Sequence, residues 1–369
     1  MDINNLLQWF LGEGLPYFVL IIVLLAGLFV FIFITTLFPT LRTIIAFAYL
    51  NSLISVLTRK TTSKEFLENL SDSRDMTELI QKLREVNINI ELSEDPAEIE
   101  NALVEHFTNN LRLIEKYSPE ISKPFVDAFM KVLLVEELIK AIRSVLRGFS
   151  PDITILRDVS PKIAKHIENV KDFHSLRAKL IELGIALPED PVEAERTLMV
   201  EAIEKLKESS RLVDESISNA VLEFVLHYKD FNNILLILRG KALGLDSTYI
   251  ESLTLGEGMY LNKWLLHRLS ESGSLDEIMT ELQGTPYGQE LRGISTTKKE
   301  RDLSLIEAAI TRAFFKTIIG LEHKYSLTVG PLLRYLLSCR LELRNLRLMV
   351  YGIAEKLPRD RLMQLAIYG

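Results

Sequence analysis

With 369 residues, 48% of them apolar and 25% charged, the chain is long enough for two or three compact units and is ordinary in composition outside one segment. A formal net charge of −7 leaves no broad basic field, which excludes a nucleic-acid partner held by electrostatics. The single cysteine, Cys339, cannot form an internal disulfide and reads as a small buried hydrophobe in a reducing compartment.

The exceptional segment comes first in the chain. Residues 15–41 carry no charge, between Glu13 and Arg42, and Leu15, Val19, Leu24, Phe29, Ile34 and Leu41 mark its length. At about 1.5 Å per residue, roughly 27 residues reach about 40 Å, more than a hydrocarbon core requires. A signal peptide would have a basic leader and a shorter run, and a core helix would keep a polar face, so a membrane-spanning helix is expected. Only Asp2 and Glu13 precede it, whereas Arg42, Arg59, Lys60 and Lys64 follow. The positive-inside rule then makes this a single-pass protein of the cell membrane, N-terminus outside and bulk cytoplasmic. With no ionisable group at mid-depth, the helix is an anchor and not an ion path.

Beyond the anchor, apolar residues recur at spacings of three and four and nowhere alternate long enough for a sheet, which predicts an all-α fold. Asp95-Pro96-Ala97-Glu98 has the parts of a helix start: Asp as N-cap, Pro in the first turn and Glu to close a capping box. The same signal returns at Asp190-Pro191-Val192-Glu193, and Ser118-Pro119-Glu120 and Ser160-Pro161 are two further starts. Glu94-Asp-Pro-Ala-Glu-Ile-Glu-Asn-Ala-Leu103 is echoed about 95 residues later by Glu189-Asp-Pro-Val-Glu-Ala-Glu-Arg-Thr-Leu198, and a looser copy begins at Glu300, set against Glu195 with one residue inserted. In the later half, residues 230–242 align without gaps to 342–354, matching an acid, an Asn, four apolar positions and a Gly. A degenerate version at 137–148 has no fixed register. Three pseudo-repeated helical bundles are expected, at 44–158, 159–273 and 274–369 behind an anchor at 1–43, with linkers at 148–160 and 253–274 and a polar loop at 284–299.

Nothing in the sequence assembles a catalytic or cofactor site. The histidines, at 106, 166, 174, 227, 267 and 323, lack the close spacing of a zinc helix. Leu255-Gly-Glu-Gly-Met259 is a lone GxG without a third glycine or a preceding strand, and no P-loop, nucleophile elbow or papain-like cysteine occurs. The chain is read as non-enzymatic, with no cofactor, metal or bound nucleotide. The repeated Asn233 and Asn345, with Arg239 and Arg347 near the same helix ends, are candidate partner contacts. Against that stand bland roles: hydrogen bonds from the Asn side chains to a neighbouring helix or loop backbone, and dipole complementation by the Arg side chains. Gly240 and Gly352 mark close packing or a kink.

With Ala46-Phe-Ala-Tyr-Leu-Asn-Ser-Leu-Ile54 ahead of three bundles, closing helices that read acid-x-x-Asn-apolar, and Leu357-Pro-Arg-Asp-Arg-Leu362 behind the last, the chain resembles the C subunit of archaeal and vacuolar-type (A/V-type) rotary ATPases, known in eukaryotes as the d subunit. The resemblance covers about residues 44 to 369 and rests on pattern and repeats. It implies a funnel of three helical domains, a non-catalytic rotor part that joins the proteolipid (c/K) ring to the D and F subunits of the central stalk and passes torque between ion translocation and ATP synthesis or hydrolysis. A transmembrane helix departs from the usual soluble member. Mechanics then favour a place for it in the ring lumen. The competing reading, a membrane-anchored helical-repeat scaffold for protein partners, predicts a period of roughly 35–45 residues that the sequence does not show.

Overall fold

A computed structural model describes residues 12, 15–57, 63–292 and 303–368, and every regular element among them is helical, as the periodicity predicts. Asp2, Glu13, Arg59, Lys60 and Glu300, used above, and residues 293–299 of the polar loop lie outside the described residues. The chain enters on α1 (Leu15–Ile32), passes a π turn (Phe33–Leu37) and continues as α2 (Phe38–Leu57). Ile32 and Phe38, which flank the π turn, both keep right-handed helical angles, so the three pieces form one continuous helix. The wide turn has a local cause in Pro39, which has no N–H to donate and whose ring crowds the carbonyl four residues earlier. Val19, Leu24, Phe29, Ile34 and Leu41 are all exposed, and the most apolar stretch of this helix is 0% buried. Further on, Thr43, Phe47, Leu50 and Ile54 form a single buried face at helical spacing, and α2 docks by it.

The body follows in chain order: α3 (Lys64–Ser71), α4 (Met76–Glu85), α5 (Pro96–Tyr117), α6 (Lys123–Leu146), α7 (Thr154–Val159), α8 (Pro161–Ile167), α9 (Phe173–Glu182), α10 (Pro191–Leu212), α11 (Glu215–Ala242), α12 (Ser247–Leu253), α13 (Lys263–Glu271), α14 (Leu275–Glu281), α15 (Pro286–Leu291), α16 (Leu303–Lys324), α17 (Gly330–Ala354) and α18 (Arg359–Leu365). Three pairs of consecutive long helices dominate it: α5 with α6, α10 with α11, and α16 with α17. Their packing is cyclic. α6 lies along α10, α11 along α16, and α17 returns to α5, so the last pair closes on the first.

At the two proline starts the N-caps form as read. Asp95 accepts from the N–H of Ala97 at 2.9 Å and Asp190 from that of Glu193 at 2.8 Å, each with Pro in the first turn. The capping box at Asp95 is relayed, because Glu98 accepts from Ser93 Oγ, which in turn accepts from the Asp95 N–H. Ser118 and Ser160 depart from expectation. Ser118 precedes a 3-10 turn (Glu120–Ser122) and its hydroxyl donates back to Ile114, while Ser160 makes no side-chain cap. Nor are 148–160 and 253–274 bare linkers. The first holds α7, the second α13 and an anchored loop, and α15 stands within 284–299. Cys339 is free and buried, as expected.

Candidate functional site

Three long helices meet at the middle of the body through one polar side chain each. Glu136 of α6, Tyr228 of α11 and Arg340 of α17 form a closed triad: Arg340 donates to Tyr228 Oη at 2.9 Å, the Tyr228 hydroxyl donates to Glu136, and Arg340 ion-pairs with Glu136. Burial pushes the Tyr228 hydroxyl far above its ordinary range, so it stays a neutral donor. Around the triad pack two aromatic groups, Phe125 with Phe129 and Phe224 at centroid distances of 5.6 to 6.1 Å and Phe231 with Phe314 at 4.6 Å, joined through the Tyr228 ring at 6.0 to 6.5 Å. The triad ties helices together.

The seams between successive pairs repeat one link. Arg143 of α6 grips Glu195 of α10 through Nε at 3.0 Å and Nη2 at 2.7 Å, and Arg239 of α11 grips Glu307 of α16 at 2.6 and 3.0 Å. At the closing seam the equivalent of Arg239 is Tyr351, whose hydroxyl donates to Glu100 of α5, and Arg347 one turn earlier adds an ion pair to the same carboxylate at 2.6 Å. Burial and that hydrogen bond raise the Tyr351 hydroxyl to about 12. Glu100, Glu195 and Glu307 therefore hold one place in three copies. This moves the third copy from its sequence-based register: Glu195 corresponds to Glu307, not to Glu300.

The register of the first copy also emerges, from helix ends. Gly148, Gly244 and Lys356 all have left-handed φ, at +80°, +70° and +55°. The N–H of the residue after each donates to the carbonyl five positions back, Phe149 to Ser144, Leu245 to Gly240 and Leu357 to Gly352, at 3.0, 3.0 and 2.8 Å. This is the same Schellman closure three times. It sets Glu137 opposite Asn233 and Asn345. Burial raises the Glu137 carboxyl above its ordinary range, against the pull of Lys140, which donates to it at 2.6 Å.

The four candidate contacts are thus placed. Asn233 and Asn345 are 0% exposed, and each clamps the returning chain by a pair of bonds. Asn233 donates to Gly256 O at 2.9 Å and accepts from Leu255 N at 2.8 Å; Asn345 donates to Ile367 O at 2.6 Å and accepts from Ile367 N at 2.9 Å. Arg239 and Arg347 sit in the seams, with side chains 44% and 20% exposed. Gly240 and Gly352 serve the same return: a Cβ on the first would stand 2.8 Å from Ile250 Cγ1, and on the second 2.2 Å from Leu362 Cδ2. The Leu255–Met259 glycines belong to this clamp rather than to a phosphate loop. Asp230, the acid of the repeated 230–242 stretch but not one of the candidate contacts, accepts from the N–H groups of Met259, Tyr260 and Leu261 at 2.8 to 3.0 Å. Burial nonetheless lifts its carboxyl to about 6, and burial lowers the neighbouring His227 to about 4. An acid at equal places in three copies was the available signal for the seams; the triad offered none, since Tyr228 and Arg340 share a place in two copies as unlike residue types and Glu136 lies one turn off that register.

The family model for the ATP synthase (C/AC39) subunit matches residues 50–365. The C subunit of the A-type ATP synthase of Methanocaldococcus jannaschii is 24% identical over 345 residues, covering 87% of this chain and 86% of the relative. The proteins of the same name from Thermococcus gammatolerans and Desulfurococcus sp. are each 25% identical, the first over 86% of this chain and 89% of its own length, the second over 87% and 90%. The chain belongs to the ATP synthase (C/AC39) subunit family and is a non-catalytic member of it.

Proposed function

We propose that this protein is the rotor coupler of an A-type ATP synthase, joining the central stalk to the proteolipid ring and carrying torque between ion translocation and ATP synthesis or hydrolysis. The observation that carries the reading is the cyclic body: three helix pairs, tied by three equivalent seams and one central triad, suit a part loaded by twisting about its axis. The end that holds the turns between paired helices faces the (c/K) ring. The opposite end, where the long helices close beside exposed Leu146, Phe149, Leu243 and Leu357, receives the D and F subunits of the stalk. Of the four contact candidates, Arg239 keeps the most exposed side chain for such a role. Three bundles at 44–158, 159–273 and 274–369 form the funnel, and 1–43 is the anchor.

The anchor makes this coupler a single-pass protein of the cell membrane, with its N-terminus outside and its bulk cytoplasmic. What supports the placement is the exposed apolar surface of α1 followed by Arg42. The test is to isolate the tagged full chain from native membranes and identify the proteins that travel with it. The reading expects the ring proteolipid, stalk proteins and nucleotide-binding catalytic subunits in stable proportion. Recovery without a ring or without catalytic subunits overturns it.

A further inference from the structure

We propose that the helix of residues 15–41 is an axle: it stands in the lumen of the proteolipid ring, against the inward faces of the ring helices, and turns with the body to which it is fixed. This rests on the rotor reading. The first ground is where the helix is rooted. Its lower part touches all three turns between the paired long helices. The Tyr49 ring meets that of Tyr117, at the first turn, edge-on with centroids 5.4 Å apart. Thr43 Oγ1 lies 2.8 Å from Ser216 Oγ at the second, and Asn51 donates to Thr328 O at the third at 3.0 Å. At about 100° per residue, Tyr49 and Asn51 stand on the two flanks of the buried face formed by Thr43, Phe47, Leu50 and Ile54, so the three turns meet the helix along and on either side of that face. A helix held jointly by three equivalent turns stands near the axis those turns share.

The second ground is rigidity. α1, the π turn and α2 are one helix, and Thr43, Phe47, Leu50 and Ile54 fasten it to the core, so the exposed half cannot turn independently of the body. An off-axis helix fixed to a turning body would sweep a circle through the ground held by stationary membrane proteins. On the axis it turns in place.

The third ground is its surface. Phe29 and Phe31 point to opposite sides and are 66% and 64% exposed, and no charged group relieves either face. Such a helix needs apolar surroundings on every side, which the inside of a ring of membrane helices supplies. The family model begins at residue 50, so the axle is carried by sequence outside it.

The test places photoreactive p-benzoylphenylalanine at Phe29, at Phe31 and, on the third turn, at Leu327, which is 65% exposed. Irradiation is carried out on the full complex purified from native membranes. The axle predicts ring proteolipid adducts from both Phe29 and Phe31. Adducts from one face only, adducts to a stationary membrane protein, or lipid adducts alone overturn it. If Leu327 still joins the ring in those cases, only the axle is lost; if no position joins the ring, the rotor reading falls with it.

Discussion

A carboxamide satisfies a backbone donor and acceptor together, which no apolar side chain of its volume can do. Asn233 and Asn345 do this without exposure to water, so Asn233→Leu and Asn345→Leu each strand one buried N–H and one buried carbonyl. Each variant should lose about 2–4 kcal/mol, read as a lower urea midpoint at unchanged slope. A loss within experimental error would mean that the clamps are dispensable. The pair His227 and Asp230 makes a second prediction. Asp230 titrates near 6 in the folded chain against an ordinary value of 3.8, so the folded state holds more protons between these values and stability falls as pH rises through them. His227 titrates near 4 against 6.5, so the unfolded state holds more protons and stability rises over nearly the same window. Each effect is on the order of 3 kcal/mol, and they oppose. Relative to the unaltered chain between pH 4 and 6, Asp230→Asn should steepen the gain in stability with pH, and His227→Gln should turn it toward a loss. Parallel curves for all three proteins would refute the assignment.

At the scale of elements, what could be read from sequence is what is locally determined. Asp95 and Asp190 cap helices because an Asp side chain reaches an N–H two or three residues on, whatever the rest of the chain does. The charge-free run before Arg42 was legible for the same reason. The first copy was not, because Glu137 stands where the others have Asn and no motif survives to align it; only the three left-handed residues reveal the match. Nor could 253–274 be recognised as anchored, since its glycines mean a loop in sequence and acquire a function only when Asp230 and Asn233 arrive from α11. Removing a cap should have a local cost: Asp95→Ala and Asp190→Ala are each expected to destabilise by about 1 kcal/mol, measured by thermal melts. Gly352→Ala tests the return helix. It should be clearly destabilising, by about 1–3 kcal/mol, and Leu362→Val in the same chain should recover part of the loss by withdrawing the methyl that meets the new Cβ.

Across the whole molecule the three seams are alike in position and unlike in construction, and that difference has a consequence for stability. Two are arginine–glutamate grips at the edge of solvent, the arginine side chains 46% and 44% exposed. Exposed pairs of this kind contribute little, because water screens them and long side chains lose freedom in making them. The closing seam is drier: Glu100 and Arg347 are 17% and 20% exposed, and Tyr351 adds its hydroxyl to the same carboxylate. Of the three seams it also bridges the residues farthest apart in sequence, 251 positions from Glu100 to Tyr351, so no local turn holds α17 near α5. Neutralising each acid in turn separates position from construction. Glu195→Gln and Glu307→Gln should each cost less than about 1 kcal/mol, while Glu100→Gln should cost about 1.5–3 kcal/mol, in urea titrations of the full chain in detergent. Equal losses at the three positions would show that the seams share the load evenly and that the closing contact has no special weight. A larger loss at Glu100 would identify the return of α17 to α5 as the contact that turns three helix pairs into one body.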